Sequence, residues 1–158
     1  MIDKKQKVCI GGTFNILHIG HKRLIDKAVE IIDESGYLLI GLSNGKLVKN
    51  KKNVKPFNER KKNIERYLNG KYEKLRYEVI KINDKYGPTL KKDFDFIVVS
   101  PETKDNAEEI NKKRKKLGKK PIGIIMIPYV VSNDGIPISS TRIIDGEIDK
   151  NGRVIKRD

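Results

Sequence analysis

The chain has 158 residues, with 35 Lys or Arg against 21 Asp or Glu, so its formal net charge is +14 at pH 7. This length suffices for one domain with a full core, so no covalent or metal staple is required. No apolar run is long enough to span a bilayer, and the start of the chain lacks the apolar segment of a signal peptide. The single cysteine, Cys9, excludes an internal disulfide, and we expect a cytoplasmic protein with no membrane partner.

The positive charge raises the question of a polyanionic partner. The excess is mostly lysine and is spread over helices and loops, which is also typical of a biased proteome or a high-temperature surface. Only 6% of the residues are aromatic and none is Trp, so a base-stacking platform is poorly supplied. We therefore expect a phosphorylated small molecule and no nucleic-acid partner.

Strand and helix signals alternate along the chain. Apolar runs bounded by turn residues predict five strands, at 8–11, 37–42, 75–82, 94–99 and 122–127. Amphipathic spacing predicts helices at 19–33, at 58–68 with Asn58 as cap, from a Thr103 cap to 117, and from about 139 to 145. This order predicts an α/β fold with a single Rossmann-like domain over 1–148, a five-stranded mainly parallel sheet and helices on both faces. Cys9 is expected inside the first strand as a small hydrophobe, and a charged, frayed tail is expected over 149–158.

The most informative segment joins the first strand to the first helix. It contains Gly11, Gly12, Thr13 and Phe14, followed by His18 and His21, which are the only two histidines. Glycines let the backbone approach a phosphate, Thr13 adds a hydroxyl donor, and a helix N-terminus attracts anions. The spacing fits neither a dinucleotide fingerprint nor a P-loop, and no cysteine pair or nearby acidic cluster accompanies the histidines for a metal site. The segment therefore predicts a nucleotide phosphate site, in which Gly20 leaves room for a bulky ligand.

A second segment near the end of the chain concentrates hydroxyl groups at a predicted helix start. It consists of Ser139, Ser140 and Thr141, followed by Arg142. An ordinary helix cap needs only one of these hydroxyls, so the three predict a cradle for the outer phosphates of a nucleotide. Whether Arg142 contacts the phosphates stays open, since its side chain can instead pair with Asp145 or Glu147.

These two segments also carry a family resemblance. With YGPT at 86–89, VVSPET at 98–103, INKKR at 110–114 and PISSTRI at 137–143, the chain resembles the phosphopantetheine adenylyltransferases of the archaeal and eukaryotic branch. They belong to the nucleotidyltransferase superfamily, which shares an HxGH motif and an ISSTR-like segment. The match runs in register over roughly residues 8–152.

The resemblance implies a reversible transfer of adenylyl from ATP to 4′-phosphopantetheine, which gives dephospho-coenzyme A and pyrophosphate. By motif match, His18 donates to the α-phosphate, His21 contacts the nucleotide nearby, and Thr13 holds the α-phosphate and the attacking group. The hydroxyls at 139–141 grip the β- and γ-phosphates, and Mg²⁺ is bound through those phosphates. The implied ATP-binding set is Gly11, Gly12, Thr13, Phe14, His18, His21, Ser139, Ser140 and Thr141. Dephospho-coenzyme A or coenzyme A is expected as a further ligand.

The resemblance also implies a lysine that bridges the phosphates of both substrates, in the lysine-rich loop after the second strand. Spacing does not decide among Lys46, Lys49, Lys51 and Lys52, and we favour Lys49 and Lys51 as catalytic residues with His18 and Thr13.

Ser100, Asn111 and Arg114 are expected to bind the acceptor substrate, with Arg114 on its phosphate. Arg60 is expected to be structural. Asn15 replaces the Asp that is common in the superfamily and is expected to close its own turn. The bacterial arginine pair after the fourth strand is absent here, so the bacterial contacts to the acceptor do not transfer.

Two alternatives remain at the level of sequence. The first is nucleotidyl transfer to another phosphorylated acceptor, such as FMN or glycerol phosphate, because such enzymes share HxGH. The second is a non-catalytic RNA-binding module, which predicts steeply salt-dependent RNA binding that survives loss of His18.

Overall fold

The computed structural model describes residues 6–33, 35–51 and 53–155, and within them five strands alternate with four α-helices. The strands are Lys7–Gly12 (β1), Tyr37–Ser43 (β2), Tyr77–Ile82 (β3), Phe96–Val99 (β4) and Gly123–Met126 (β5). The helices are Ile19–Ile31 (α1), Phe57–Lys71 (α2), Lys104–Lys116 (α3) and Ser140–Ile144 (α4). All neighbouring strands are parallel, in the order β3-β2-β1-β4-β5, which confirms the predicted α/β architecture.

The sheet is covered on both faces because successive strand residues point to opposite sides. On one face, Val8 and Ile10 of β1 pack in a core with the apolar sides of α1 and α2. On the other face, Cys9 packs in a second core with Ala107 and Ile110 of α3. Burial raises the pKa of the Cys9 thiol to about 12, so this cysteine is the inert core residue that its strand position predicts.

The strand order creates a crevice between β1 and β4. The chain runs outward from β1 to β2 and β3, and it then returns to the other side of β1 to form β4 and β5. The loops that leave β1 and β4 therefore diverge, and in open parallel sheets such a switch point is where ligands bind.

One local prediction is wrong. Helix α2 begins at Phe57 rather than after an Asn58 cap, because Pro56 takes the cap position and its carbonyl accepts the N–H of Arg60 at 3.1 Å. The fixed φ of proline suits a helix entry without a side-chain cap. The loop after β3 contains a short 3₁₀ turn over Gly87–Leu90.

The expected frayed tail is ordered through residue 155. Ile148 is fully buried with Val130 and Ile138 and forms an antiparallel bridge with Val154. The N–H of Ile19, in the first turn of α1, donates to the carbonyl of Lys150 at 3.0 Å. The first backbone N–H groups of a helix lack partners within the helix, and this segment supplies an acceptor for one of them at the start of α1. Residues 156–158 of the predicted tail lie outside the described residues. In the part of the chain that is described, no helix combines the length and apolar character needed to cross a membrane.

Candidate active site

A cleft of about 790 Å³ opens at the carboxyl ends of the strands. Both predicted phosphate-binding segments line it, although they lie more than a hundred positions apart in the chain. The predicted nucleotide residues in its wall are Gly11, Gly12, Thr13, Phe14, His18, His21, Ser139, Ser140 and Thr141. The fold thus brings the histidine turn and the hydroxyl segment to one cavity.

The two imidazoles are built into the start of α1. His18 is the N-cap, and its Nδ1 accepts the backbone N–H of Gly20 at 3.0 Å and that of His21 at 3.3 Å. In return, Nδ1 of His21 accepts the N–H of His18 at 3.4 Å, and the two rings stack with centroids 3.7 Å apart. Because both Nδ1 atoms accept, each neutral ring carries its proton on Nε2. His18 therefore presents an Nε2–H donor whose orientation is set by the helix cap.

Burial keeps both rings uncharged at neutral pH. Desolvation is the largest cause in each case, and it lowers the pKa of His18 to about 4 and that of His21 to about 3. For His21 the neighbouring His18 lowers the pKa further, while a hydrogen bond with the backbone at Ile16 opposes the shift. The site thus offers neutral hydrogen-bond donors rather than imidazolium cations.

These shifts predict a pH response that is directly measurable. The ordinary histidine pKa is 6.5, so between pH 6.5 and about pH 4 the unfolded chain binds more protons than the folded one. The free energy of unfolding therefore rises with pH across this window and falls as the solution is acidified. Because the chain has only two histidines, their Cε1–H resonances can be followed by NMR. We expect no titration of either resonance between pH 5.5 and 8, and a midpoint near 6.5 would contradict the buried, neutral pair.

Position 20 must be glycine because the ring of His18 occupies the space that a side chain would need. A Cβ at this position would lie 2.9 Å from Cε1 of His18 and 3.2 Å from Cγ2 of Ile138. A side chain at this position would therefore meet protein atoms, whereas Gly20 itself lines the cleft, so the expectation of room for a bulky ligand stays a prediction. Ile138 directly precedes the hydroxyl segment, so this close approach also holds the two phosphate-binding segments together.

Gly20→Ala is expected to displace the His18 ring and to lower kcat about 10- to 100-fold, since small misplacements of reacting groups are costly. Gly70→Ala is the matched control, because a Cβ on this α2 glycine meets nothing within 4 Å. Alanine favours a helix, so the control should melt at the same temperature or higher and keep full activity. Kinetics and thermal unfolding of both variants provide the measurement, and normal turnover of Gly20→Ala would rule out the steric role.

Phe14 adopts a backbone conformation that is unfavourable for a bulky residue. Its φ is +47°, in the left-handed region, and its side chain is buried. The ring lies 5.0 Å from that of His21, and a Cβ on Gly12 would approach it to 3.1 Å. Strained backbone of this kind is typical of functional turns. Phe14 therefore supports the histidine pair from behind.

One lysine of the predicted loop reaches the turn after β1. Nζ of Lys51 lies 2.6 Å from Oγ1 of Thr13, and both residues line the cleft. Lys46 and Lys49 are exposed and lie outside the cleft wall, whereas Lys52 lies outside the described residues. Of the two favoured lysines, the structure thus brings Lys51 to the site and does not bring Lys49.

Arg60 has the structural role that was expected. Its side chain is 1% exposed and donates to three backbone carbonyls, those of Thr13 (3.0 Å), Ser43 (2.8 Å) and Lys55 (2.8 Å). These carbonyls belong to the turn after β1, the end of β2 and the lysine loop. Arg60 therefore holds together three segments that border the cleft.

The expectation that Asn111 and Arg114 face the site is wrong. Arg114 is 1% exposed, and it donates to the carbonyls of Lys120, Thr89 and Lys92 and to the carboxylate of Asp93. The hydrogen bond from this guanidinium lowers the pKa of the Asp93 carboxyl. Four of its five N–H groups are thus engaged, because α3 turns this side chain toward the loop after the 3₁₀ turn.

Asn111 is likewise engaged with backbone rather than with the cleft. Its amide pairs with both the N–H and the carbonyl of Ile122, each at 2.8 Å, at the entry to β5. Ser100, the third predicted acceptor-binding residue, does line the cleft. It begins the loop between β4 and α3.

A further part of the cleft wall was not assigned from sequence. It comprises residues of YGPT, of the turn before α3 and of the first turn of α3, namely Tyr86, Gly87, Pro88, Thr89, Glu102, Thr103 and Asn106. Their position directly after β3 and β4 was the available signal, because ligands bind beyond the carboxyl ends of parallel strands.

The three hydroxyl residues of the segment have different structural roles. Ser139 is the N-cap of α4, where its Oγ accepts the N–H of Arg142 at 3.2 Å, so Ser140 and Thr141 are the hydroxyls in excess of capping. Arg142 forms ion pairs with Asp134 (2.6 Å) and Glu147 (2.9 Å), of which the second was foreseen. Arg142 thus anchors the segment rather than facing a ligand. In the described ranges, no group of three or more His, Cys, Asp or Glu residues is arranged to hold a metal ion.

A parallel sheet with this strand order, a capped histidine pair after β1 and a hydroxyl segment at the same cleft defines an α/β nucleotidyltransferase. The sequence profile of the cytidylyltransferase-like family matches residues 9–146, and the chain belongs to that family.

Among curated relatives, the phosphopantetheine adenylyltransferase of Methanosarcina mazei is 48% identical over 152 residues, covering 95% of this chain and 97% of the relative. The phosphopantetheine adenylyltransferase of Archaeoglobus fulgidus is 44% identical over 150 residues, covering 94% and 99%. A solved structure of a protein with unknown function from Archaeoglobus fulgidus is 41% identical, with a TM-score of 0.71 over 77% of this chain and 89% of that one. The resemblance to archaeal phosphopantetheine adenylyltransferases is thereby confirmed.

Proposed function

We propose that this protein transfers an adenylyl group reversibly from ATP to 4′-phosphopantetheine, yielding dephospho-coenzyme A and pyrophosphate in coenzyme A biosynthesis. The observation that carries the proposal is the single cleft lined by the His18–His21 pair, by Thr13 with Lys51, and by the hydroxyl segment. The names of the archaeal relatives, which match over nearly the full chain, support this particular acceptor.

In this mechanism the reaction proceeds without a covalent enzyme intermediate. A phosphate oxygen of the acceptor attacks the α-phosphorus of ATP in line, and the bond from that phosphorus to the bridging oxygen breaks as pyrophosphate leaves. Catalysis then rests on positioning and on stabilising the charge that develops on the α-phosphate oxygens. The Nε2–H of His18 is the donor for that charge, and its cap bonds hold it in place before ATP binds.

The cation and the hydroxyls take the remaining phosphates. Lys51, beside Thr13, is positioned to hold the acceptor phosphate against the α-phosphate and to offset their mutual repulsion. Ser140 and Thr141 are proposed to donate to the β- and γ-phosphates, with the Ser139 cap fixing the turn that carries them. The phosphates that these residues hold become the leaving group.

Magnesium is proposed to enter with the nucleotide. The described residues offer no carboxylate cluster for the ion, so phosphate oxygens and water would complete its shell, as Mg²⁺ commonly does in nucleotide sites. When bound, the ion neutralises charge on the triphosphate. We further propose that the protein acts in the cytoplasm and that coenzyme A shares the cleft of its precursor.

The test is pyrophosphate release by purified protein from ATP and Mg²⁺, with 4′-phosphopantetheine, FMN and glycerol phosphate as separate acceptors. We expect turnover with 4′-phosphopantetheine and none above background with the other two. Turnover with FMN or glycerol phosphate, but not with 4′-phosphopantetheine, would show that the protein uses a different acceptor. If no acceptor is turned over and the protein instead binds RNA in a salt-dependent way that His18→Ala retains, the protein is a non-catalytic RNA-binding module.

A further inference from the structure

The side chain of Asn15 connects the turn after β1 to the lysine loop. Its Oδ1 accepts the N–H of Lys55 at 2.8 Å, and its Nδ2 donates to the carbonyl of Asn53 at 3.0 Å. Asn15 is 6% exposed, so these two bonds form away from competing water. The orientation of the amide follows from its partners, because a flipped amide would place donor against donor and acceptor against acceptor. The expectation that Asn15 closes its own turn is therefore wrong, because both bonds go to backbone groups about forty positions away.

Both anchored groups lie just beyond Lys51. Asn53 itself has a φ of +54°, in the left-handed region that asparagine adopts more readily than most residues. Asn15 stands two residues after Thr13, whose Oγ1 lies 2.6 Å from Nζ of Lys51. One carboxamide thus ties the backbone of the lysine loop to the same turn that presents Thr13.

We propose that Asn15 is a positioning residue for adenylyl transfer, acting through Lys51 by holding the backbone at 53 and 55. This inference rests on the proposed function, in which Lys51 holds the acceptor phosphate. In this chain the carboxamide acts as both donor and acceptor, whereas the Asp that is common at this position in the superfamily can only accept. A carboxylate of the same shape keeps the bond from Lys55 but opposes a negative oxygen to the carbonyl of Asn53.

The experiment is a double-mutant cycle between Asn15→Asp and Lys51→Met, measured by pyrophosphate release. We expect Asn15→Asp to lower kcat about 10- to 100-fold with the KM for ATP changed less than about threefold. In the Lys51→Met background the same change should cost less than about twofold, because the group through which it acts is gone. Asn69→Asp is the matched control. Asn69 is exposed, lies outside the cleft wall and only accepts from the hydroxyl of Tyr77 at 2.8 Å, so a carboxylate preserves its bond.

Equal losses in both backgrounds, or an unchanged kcat for Asn15→Asp, would overturn the inference. If Asn15→Asp does not fold, Asn15→Ser carries the test, since its shorter neutral side chain cannot span both backbone groups. Failure of the proposed function is separate, because it appears as a wild type that does not turn over 4′-phosphopantetheine. Hydrogen exchange of the Lys55 amide then decides the anchoring: unchanged protection in Asn15→Ser, which cannot reach this N–H, would refute it.

Discussion

Replacing His18 with alanine should lower kcat about 10²- to 10³-fold while leaving the affinity for ATP mostly intact. In the proposed mechanism the Nε2–H of His18 contacts charge that develops in the transition state, and loss of one such donor costs this much in other oxyanion sites. Steady-state kinetics of pyrophosphate release and calorimetric titration with ATP provide the two quantities. An equal loss of ATP affinity would make His18 a ground-state binding residue instead.

The cap formed by His18 makes a second variant essential. His18→Ala also removes the acceptor for the N–H groups of Gly20 and His21, and loss of an N-cap costs about 1 kcal/mol of stability. His18→Asn retains a capping oxygen and lacks the Nε2–H of the imidazole. We expect it to unfold near the wild-type temperature and to be as inactive as His18→Ala. If His18→Asn is active, the loss of activity in His18→Ala is due to the lost helix cap.

Lys51→Met should reduce kcat/KM for the acceptor about 100-fold, because two phosphate groups would then approach each other without a cation between them. Stability should stay within about 0.5 kcal/mol, since the Lys51 side chain is exposed. Pyrophosphate release at varied acceptor concentration measures the loss.

Lys49→Met is the matched control for Lys51, from the same loop and with the same change in charge. Lys49 is exposed and lies outside the cleft wall, so its removal should leave turnover within about twofold of the wild type. Equal defects in the two variants would indicate a diffuse attraction of anions by the loop. A defect confined to Lys49→Met would contradict the geometry of the site.

Much of the fold and part of the site follow from local sequence. The apolar runs before Gly11 and after Gly36 predict buried parallel strands because residues on both faces of such strands are apolar. Two segments of the site are each confined to a short stretch of sequence: the glycine turn with its two histidines, and the hydroxyl segment with its helix start. Local spacing alone therefore indicates that they can bind phosphate. The alternation of elements predicted a parallel sheet, whose loops after the carboxyl ends lie at one edge, whereas the strand order came from the structure.

The tertiary structure decided which charged residues line the cleft and which are engaged in the scaffold. Arg114 looks like a phosphate ligand in the sequence, yet the fold turns its guanidinium to a carbonyl 25 positions away. Lys51 is one of several similar lysines, and only a contact across 38 positions with Thr13 distinguishes it. The partners of Asn15 are equally distant. Periodicity and spacing report on neighbours within a few residues, whereas the partner of a long polar side chain depends on how the loops pack after the sheet has formed.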